Sequence, residues 1–295
     1  MRRIILRRTA ILCLLAFSLV VWGCPAPPVV TPIQKPPPKV ALVLSGGASR
    51  GFAHIGVIKV LEAGGIPIDI VVGTSAGSLT GALYAFYGDA AKLERAAWGL
   101  TEQDVFDFSI PNILVGVVKG ESIVRFINSR ITTKNIENLK IRFAAVATDL
   151  NTGKKVVFKT GSVATAVRAS ISIPGIFKPL VIGKRILVDG GVVDNVPVDV
   201  AREMGADVVI AVDVSSDTTN YEVENIIDVI LQTLNIMGNE ISKYQLKEAD
   251  VVIRPRVSGV GLIDFDKKTY LISEGEKAAR AALPAIREAI KKARE

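Results

Sequence analysis

The sequence predicts an α/β domain whose mainly parallel central sheet is covered by helices on both faces. Three observations carry this. From Lys39 onward, short runs rich in Val, Ile and Ala alternate with longer amphipathic runs. The short runs are continuously apolar, as in strands buried on both faces. Glycine-rich turns lead from early apolar runs into helical segments, which is strand–turn–helix organisation. No repeat and no second linker breaks the pattern, so residues 40–295 are assigned to one domain.

The chain starts differently. Met1 to Arg8 holds Arg2, Arg3, Arg7 and Arg8 and no acid, and an apolar run from Ala10 to Trp22 follows. These are the charged and apolar regions of a secretory signal peptide (1–23), too short for a comfortable membrane span. The run ends Trp22-Gly23-Cys24. A small residue before a cysteine at this place resembles a bacterial lipoprotein processing site, although Trp22 is bulky for it. Cys13 would leave with the signal, so Cys24 would be the only cysteine and no intramolecular disulfide could form. Acyl chains on Cys24 would anchor the protein stably, each buried methylene adding about 0.8 kcal/mol. Residues 24–39 hold seven of the fourteen prolines, a semi-rigid spacer without a core. The expectation is an exported lipoprotein held to a membrane through Cys24.

In the folded part, strands are expected at 40–44, 68–72, 142–148, 155–158, 185–188, 208–212 and 251–254. Helices are expected at 52–63, 78–87, 120–130, 162–170, 198–204, 222–246 and 273–293. The formal charge of +7 falls to +3 without the four signal arginines. No basic patch with interleaved aromatics stands out, so nucleic-acid binding is not expected. One histidine, one mature cysteine and no clustered carboxylates leave too few ligands for metal chemistry, and no cofactor is expected. Nothing in the sequence sets the oligomeric state.

Three motifs carry chemistry. The first is Gly73-Thr74-Ser75-Ala76-Gly77, a G-x-S-x-G elbow between a strand-like run and a small-residue helix. Gly73 and Gly77 remove side chains that would clash in so sharp a turn. Ser75 then lies at a helix N-terminus, where developing negative charge is favoured. Read blandly, the motif is an ordinary Gly/Ser turn. The second is the loop Gly46-Gly47-Ala48-Ser49-Arg50-Gly51 after the first strand. It fails as a P-loop and fits a dinucleotide fingerprint poorly. It suits an oxyanion cradle better, because a nucleophile candidate follows one strand later. The third is Asp189-Gly190-Gly191 at the end of a strand. Its carboxylate could take the serine proton if desolvation raises its basicity. Alone it would read as an Asp-Gly turn. His54, the one histidine, precedes the serine and reads as structural. Arg50 either fixes the loop, meets an anionic head group or is solvated.

These motifs, in this order, resemble the patatin-like phospholipase family, in particular its bacterial members close to neuropathy-target-esterase-type domains. Phe52-Ala53-His54-Ile55-Gly56-Val57, Ala169-Ser170, Ser172-Ile173-Pro174 and Asn195-Val196-Pro197 agree. The resemblance spans about Val40 to Pro197. It implies a serine–aspartate dyad, with Ser75 as nucleophile and Asp189 as base. It also implies an oxyanion hole in the 46–51 loop, with amides around Gly47, Ala48 and Arg50. Ala48 stands where many members have glycine and restricts φ there. The implied activity is hydrolysis of phospholipid or lysophospholipid esters at a membrane through an acyl-serine. Two other readings stay open: an esterase or thioesterase for small soluble esters, and a non-catalytic binding module.

Overall fold

The structure is a computed structural model that describes residues 36–105, 107, 118–215, 226–261 and 264–295. The signal segment, Cys24 and most of the proline-rich spacer lie outside the described residues. Chain contacts divide the protein into Met1–Pro36 and Pro37–Glu295, and the sheet and its helices belong to the second unit.

Eight strands form one sheet: β1 (Val40–Leu44), β2 (Ile70–Thr74), β3 (Arg142–Asp149), β4 (Lys155–Phe158), β5 (Leu180–Ile182), β6 (Arg185–Asp189), β7 (Val208–Val212) and β8 (Val251–Ile253). Hydrogen-bonded neighbours run β5-β6-β3-β2-β1-β7-β8, with β6 and β2 end to end on one edge of β3 and β4 on its other edge. The run from β3 to β8 is parallel, whereas β4 and β6 pair antiparallel with β3 on its two edges and β5 pairs antiparallel with β6. All five residues of β1, β2 and β7 are buried, as continuous apolar runs require of central parallel strands.

The helices are α1 (Phe52–Ala63), α2 (Ala76–Tyr87), α3 (Ala90–Trp98), α4 (Glu102–Val105), α5 (Glu121–Arg130), α6 (Val163–Ser170), α7 (Val198–Glu203), α8 (Ile226–Gln245) and α9 (Lys268–Arg294). Alternate strand residues face opposite layers. Leu42, Leu44, Val71, Phe143 and Ile210 share a core with Ile55 of α1, Leu83 of α2 and Leu271 of α9. Ala41, Val43, Ile70, Val72 and Ala144 share the other with Val198 and Ala201 of α7 and with Leu246. The helices therefore cover both faces, and the α/β expectation holds. The long α9 lies on α1 so closely that a Cβ on Gly56 would enter the α9 backbone, and one on Gly275 would enter that of α1. Only glycine allows this crossing at either position.

Three differences from the sequence expectation have physical causes. β2 ends two residues later than expected because Gly73 and Thr74 still pair with Ala145 and Val146. The unexpected α3 is short and half exposed, and its start is fixed by Asp89, whose side chain accepts from the Lys92 N–H. The unexpected β5 has only three residues, too few for a pattern.

Candidate active site

The site lies where the first two parallel strands end. β2 delivers Ser75 at φ 51°, ψ −123° before α2 begins. A positive φ is rare outside glycine and costs on the order of 1–3 kcal/mol. Packing enforces it: a Cβ on Gly73 would strike the backbone of Gly77, and one on Gly77 the backbone of Leu44. The turn is tied down by Ser78, whose hydroxyl donates to the Ser75 carbonyl at 2.6 Å. Ser170 adds a tie that sequence reasoning missed. Its Oγ accepts from the Ser75 N–H at 2.8 Å and donates to the Val146 carbonyl at 2.6 Å. The Ala169-Ser170 pair was visible in the sequence but carried no role, because the contact joins α6 to β2 and β3.

Asp189 arrives at this serine on an antiparallel strand. On β3, Ala147 has Val156 of β4 on one edge and Asp189 of β6 on the other. The neighbouring Val146 has Val157 on the first edge and Thr74 on the second. β6 thus takes over the edge of β3 at the residue where β2 leaves it. The two strands meet end to end, and Ser75 and Asp189 are brought together. Asp189 is 6% exposed. Its Oδ1 accepts from the Gly191 N–H at 2.7 Å, while Oδ2 has no hydrogen bond of full geometry. Burial pushes the carboxyl pKa up to about 6, against smaller lowering effects from the adjacent Ser75 hydroxyl and the Gly191 amide. A buried oxygen with spare acceptor capacity beside a hydroxyl is arranged to receive that proton.

The six loop residues divide in their amide use. The Gly46 N–H donates to the Asn195 carbonyl at 3.2 Å, and the Arg50 N–H to the Gly47 carbonyl at 3.1 Å. These two amides, expected to face an oxyanion, are engaged within the fold. Gly47 and Ala48 sit at the start of the short 3-10 turn Ala48–Gly51, where the first N–H groups have no preceding carbonyl to bond. Both line the same pocket as Ser75. Ala48 holds φ 49°, the conformation that glycine adopts without strain. Ser49 turns away and donates its hydroxyl to the Gly261 carbonyl at 2.7 Å. Gly51 lets the loop approach Ala76.

Arg50 fixes the loop: it is buried and donates to the Gly47 carbonyl and to Asn235 Oδ1 of α8, each at 3.3 Å. His54 is fully buried, bonds the Ser45 carbonyl through Nε2 at 2.9 Å, and does not line the pocket. Burial, the largest influence on it, holds its pKa down to about 4, so the ring is neutral at pH 7. Behind Ser75 and Asp189, Thr74 Oγ1 donates to the Asp194 carbonyl. The Asp194 carboxylate accepts from Lys155 at 3.0 Å and Gln245 at 2.8 Å. These contacts join the loop after Gly191 to α8.

Two spaces meet at Ser75. A pocket of about 90 Å³ is lined by Gly47, Ala48, Ser75, Asp189, Asn195 and the inner face of α8. An apolar cavity of about 70 Å³ shares Ala48, Ser75 and Ile173 with it and runs among Leu79, Leu83, Leu93, Ile123 and Phe177. Nothing in the sequence pattern revealed this second space, because its wall is assembled from separate helices: α2 gives four residues, α3 two and α5 one. Among the described residues, no group of three or more His, Cys, Asp or Glu is placed to hold a metal ion.

A strained elbow serine, a buried carboxylate beside it and free amides on a glycine loop are the features of an acyl-transfer site on an α/β sheet. A family model for patatin-like phospholipase matches residues 42–202, and the chain belongs to that family. It is 40% identical over 185 residues to human patatin-like phospholipase domain-containing protein 6, covering 60% of this chain and 13% of that protein. It is 30% identical over 273 residues to an uncharacterised NTE family protein of Mycobacterium tuberculosis, covering 83% of this chain and 46% of that one. The chain thus spans about an eighth and about half of these relatives' lengths. Among solved structures, VipD from Legionella pneumophila matches with a TM-score of 0.55 and 14% identity, over 85% of this chain and 67% of that one. That likeness concerns the fold.

Proposed function

We propose that this protein is a lipid acyl hydrolase working through a Ser75–Asp189 dyad. The observation that carries the reading is the place of Ser75. It sits at the junction of a catalytic pocket of mixed lining and an apolar cavity, beside a buried carboxylate with a free oxygen. In the proposed mechanism Ser75 Oγ attacks the ester carbonyl and passes its proton to Asp189 Oδ2. The Gly47 and Ala48 amides hold the oxyanion. The alcohol leaves with the proton, and water deprotonated by Asp189 then releases the fatty acid from the acyl-serine. The apolar cavity receives the acyl chain.

The substrates under this reading are phospholipids or lysophospholipids of a membrane to which the protein is anchored through Cys24. Apolar side chains of α8 support a lipid surface: Ile226, Val229, Ile236 and Met237 are each at least 45% exposed, while the inner face of the same helix lines the catalytic pocket. The test is fatty-acid release by the full-length chain from phospholipid, lysophospholipid and short p-nitrophenyl esters, beside Ser75→Ala and Asp189→Asn. Release from lipid that both substitutions abolish is the expected result. Activity on short esters alone would select the soluble esterase. A folded protein that releases nothing and resists a fluorophosphonate probe would select the binding module.

A further inference from the structure

A third space adjoins the catalytic pocket, built from residues outside the matched 42–202 span. It has a volume of about 530 Å³. It shares Ser215 and Asn239 with the catalytic pocket and no wall residue with the apolar cavity. Its walls carry Lys243, Arg254 and Arg256 against Asp213 and Glu240. Four of these charges pair off. Lys243 bonds Glu240 at 2.5 Å, and Arg254 Nε bonds Asp213 Oδ2 at 3.2 Å. The other oxygen of the buried Asp213 accepts from the N–H and hydroxyl of Ser215, so this carboxylate is fully used in shaping the wall. Arg256 is exposed and has no ion pair among the described residues. It also lines a neighbouring space of about 310 Å³ with Lys277. The net charge facing this space is therefore positive and centres on a guanidinium, whose planar fork matches phosphate oxygens.

We infer that this polar cavity is the subsite for a phosphate-bearing head group, with Arg256 as its anchoring cation. The inference rests on the acyl-hydrolase reading of Ser75 and deepens it. An ester seated with its acyl chain among Leu79 and Leu83 has its alcohol portion in the catalytic pocket, from which Ser215 and Asn239 lead to Arg256. A glycerophospholipid places a phosphate on that alcohol portion, and a diacylglycerol does not. The site therefore selects the phosphodiester lipid over the neutral one.

The test compares full-length wild type, Arg256→Gln and Arg256→Lys on phosphatidylcholine and diacylglycerol in the same mixed micelles. The readout is the ratio of the two kcat/KM values. Arg256→Gln is expected to lower the preference for phosphatidylcholine roughly tenfold, the scale of one charge-assisted hydrogen bond at a partly exposed site. Arg256→Lys is expected to keep most of it. An unchanged ratio in Arg256→Gln overturns the proposal while leaving the acyl-hydrolase reading intact. If wild type cleaves neither lipid, binding decides the subsite separately. Glycerophosphocholine is then titrated calorimetrically into full-length Ser75→Ala with and without Arg256→Gln. Binding that Arg256→Gln weakens supports the subsite. Absence of binding, or binding indifferent to the substitution, overturns it.

Discussion

Thr74 and Asp189 occupy consecutive places on one edge of β3, opposite Val146 and Ala147. Their strands run in opposite directions and meet end to end. Asp189 is thereby set by sheet register, with its N–H bonded to the Ser172 carbonyl and its carbonyl to Thr148 Oγ1, both at 2.9 Å. A carboxylate held this firmly can be replaced by its amide without moving the backbone. Asp189→Asn is expected to reduce kcat by at least about a hundredfold, the scale of a lost general base. Steady-state kinetics on the best ester, with circular dichroism to verify the fold, checks this.

The same substitution has the opposite effect on stability. Burial raises the folded-state pKa of Asp189 from 3.8 to about 6. Between those values the folded state binds more protons than the unfolded one, so stability falls as pH rises through that window. Below about pH 4 both states are protonated and the cost vanishes. Asp189→Asn is therefore expected to be more stable than wild type above pH 6, by about 2–3 kcal/mol, and equal to it near pH 3.5. Denaturant unfolding at the two pH values measures the difference. A variant less stable than wild type at pH 8 would contradict the assigned cost of burying this charge.

Activity should follow the same ionisation. Asp189 accepts a proton only when ionised, so kcat/KM is expected to fall as pH drops below about 6. His54, held neutral with a pKa of about 4, cannot produce that limb. A pH profile on a soluble ester checks it, and a limb kept unchanged by a weakly active Asp189→Glu would assign it to another group.

The sequence made the chemistry legible more readily than the architecture around it. The elbow, the glycine loop and Asp189 could be read because each is a local pattern imposed by backbone geometry, and the buried strands could be read because their apolar runs are continuous. The direction of β6 could not, since the side-chain pattern of a strand is the same whichever way it runs. Asp189 was expected at the carboxyl end of a strand, where it lies, but that strand enters antiparallel. The apolar cavity and Ser170 were hidden for a related reason: their residues meet only after α2, α3, α5 and α6 pack together. The engagement of the Gly46 amide by Asn195 was equally out of reach, because it depends on a partner far along the chain.

Ser170 makes a positioning prediction. It supplies the hydrogen-bond partner for the N–H of a residue held at positive φ. Ser170→Ala leaves that N–H and the Val146 carbonyl without it in a fully buried place. The expected stability loss is about 1–3 kcal/mol. Because the elbow loses its tie and the substrate loses no contact, kcat should fall with KM nearly unchanged. An equal loss in KM would make Ser170 a binding residue instead.

Ala48 makes the last prediction. It carries φ 49° in the glycine loop, where an alanine Cβ crowds its own backbone by about 1–2 kcal/mol. Glycine removes that strain but adds freedom to the unfolded chain, which returns up to about 1 kcal/mol. Ala48→Gly is thus expected to be neutral to slightly stabilising, raising Tm by no more than about 4 °C. The amide survives the change, so an oxyanion held by the Ala48 N–H should still be stabilised and kcat should stay within about threefold. Ala48→Pro removes the N–H and also forces φ negative, so its kcat should collapse. Scanning calorimetry and kinetics on the pair separate strain from hydrogen bonding. A glycine variant that loses activity as completely as the proline one would show that loop rigidity, rather than the amide itself, is what the reaction needs.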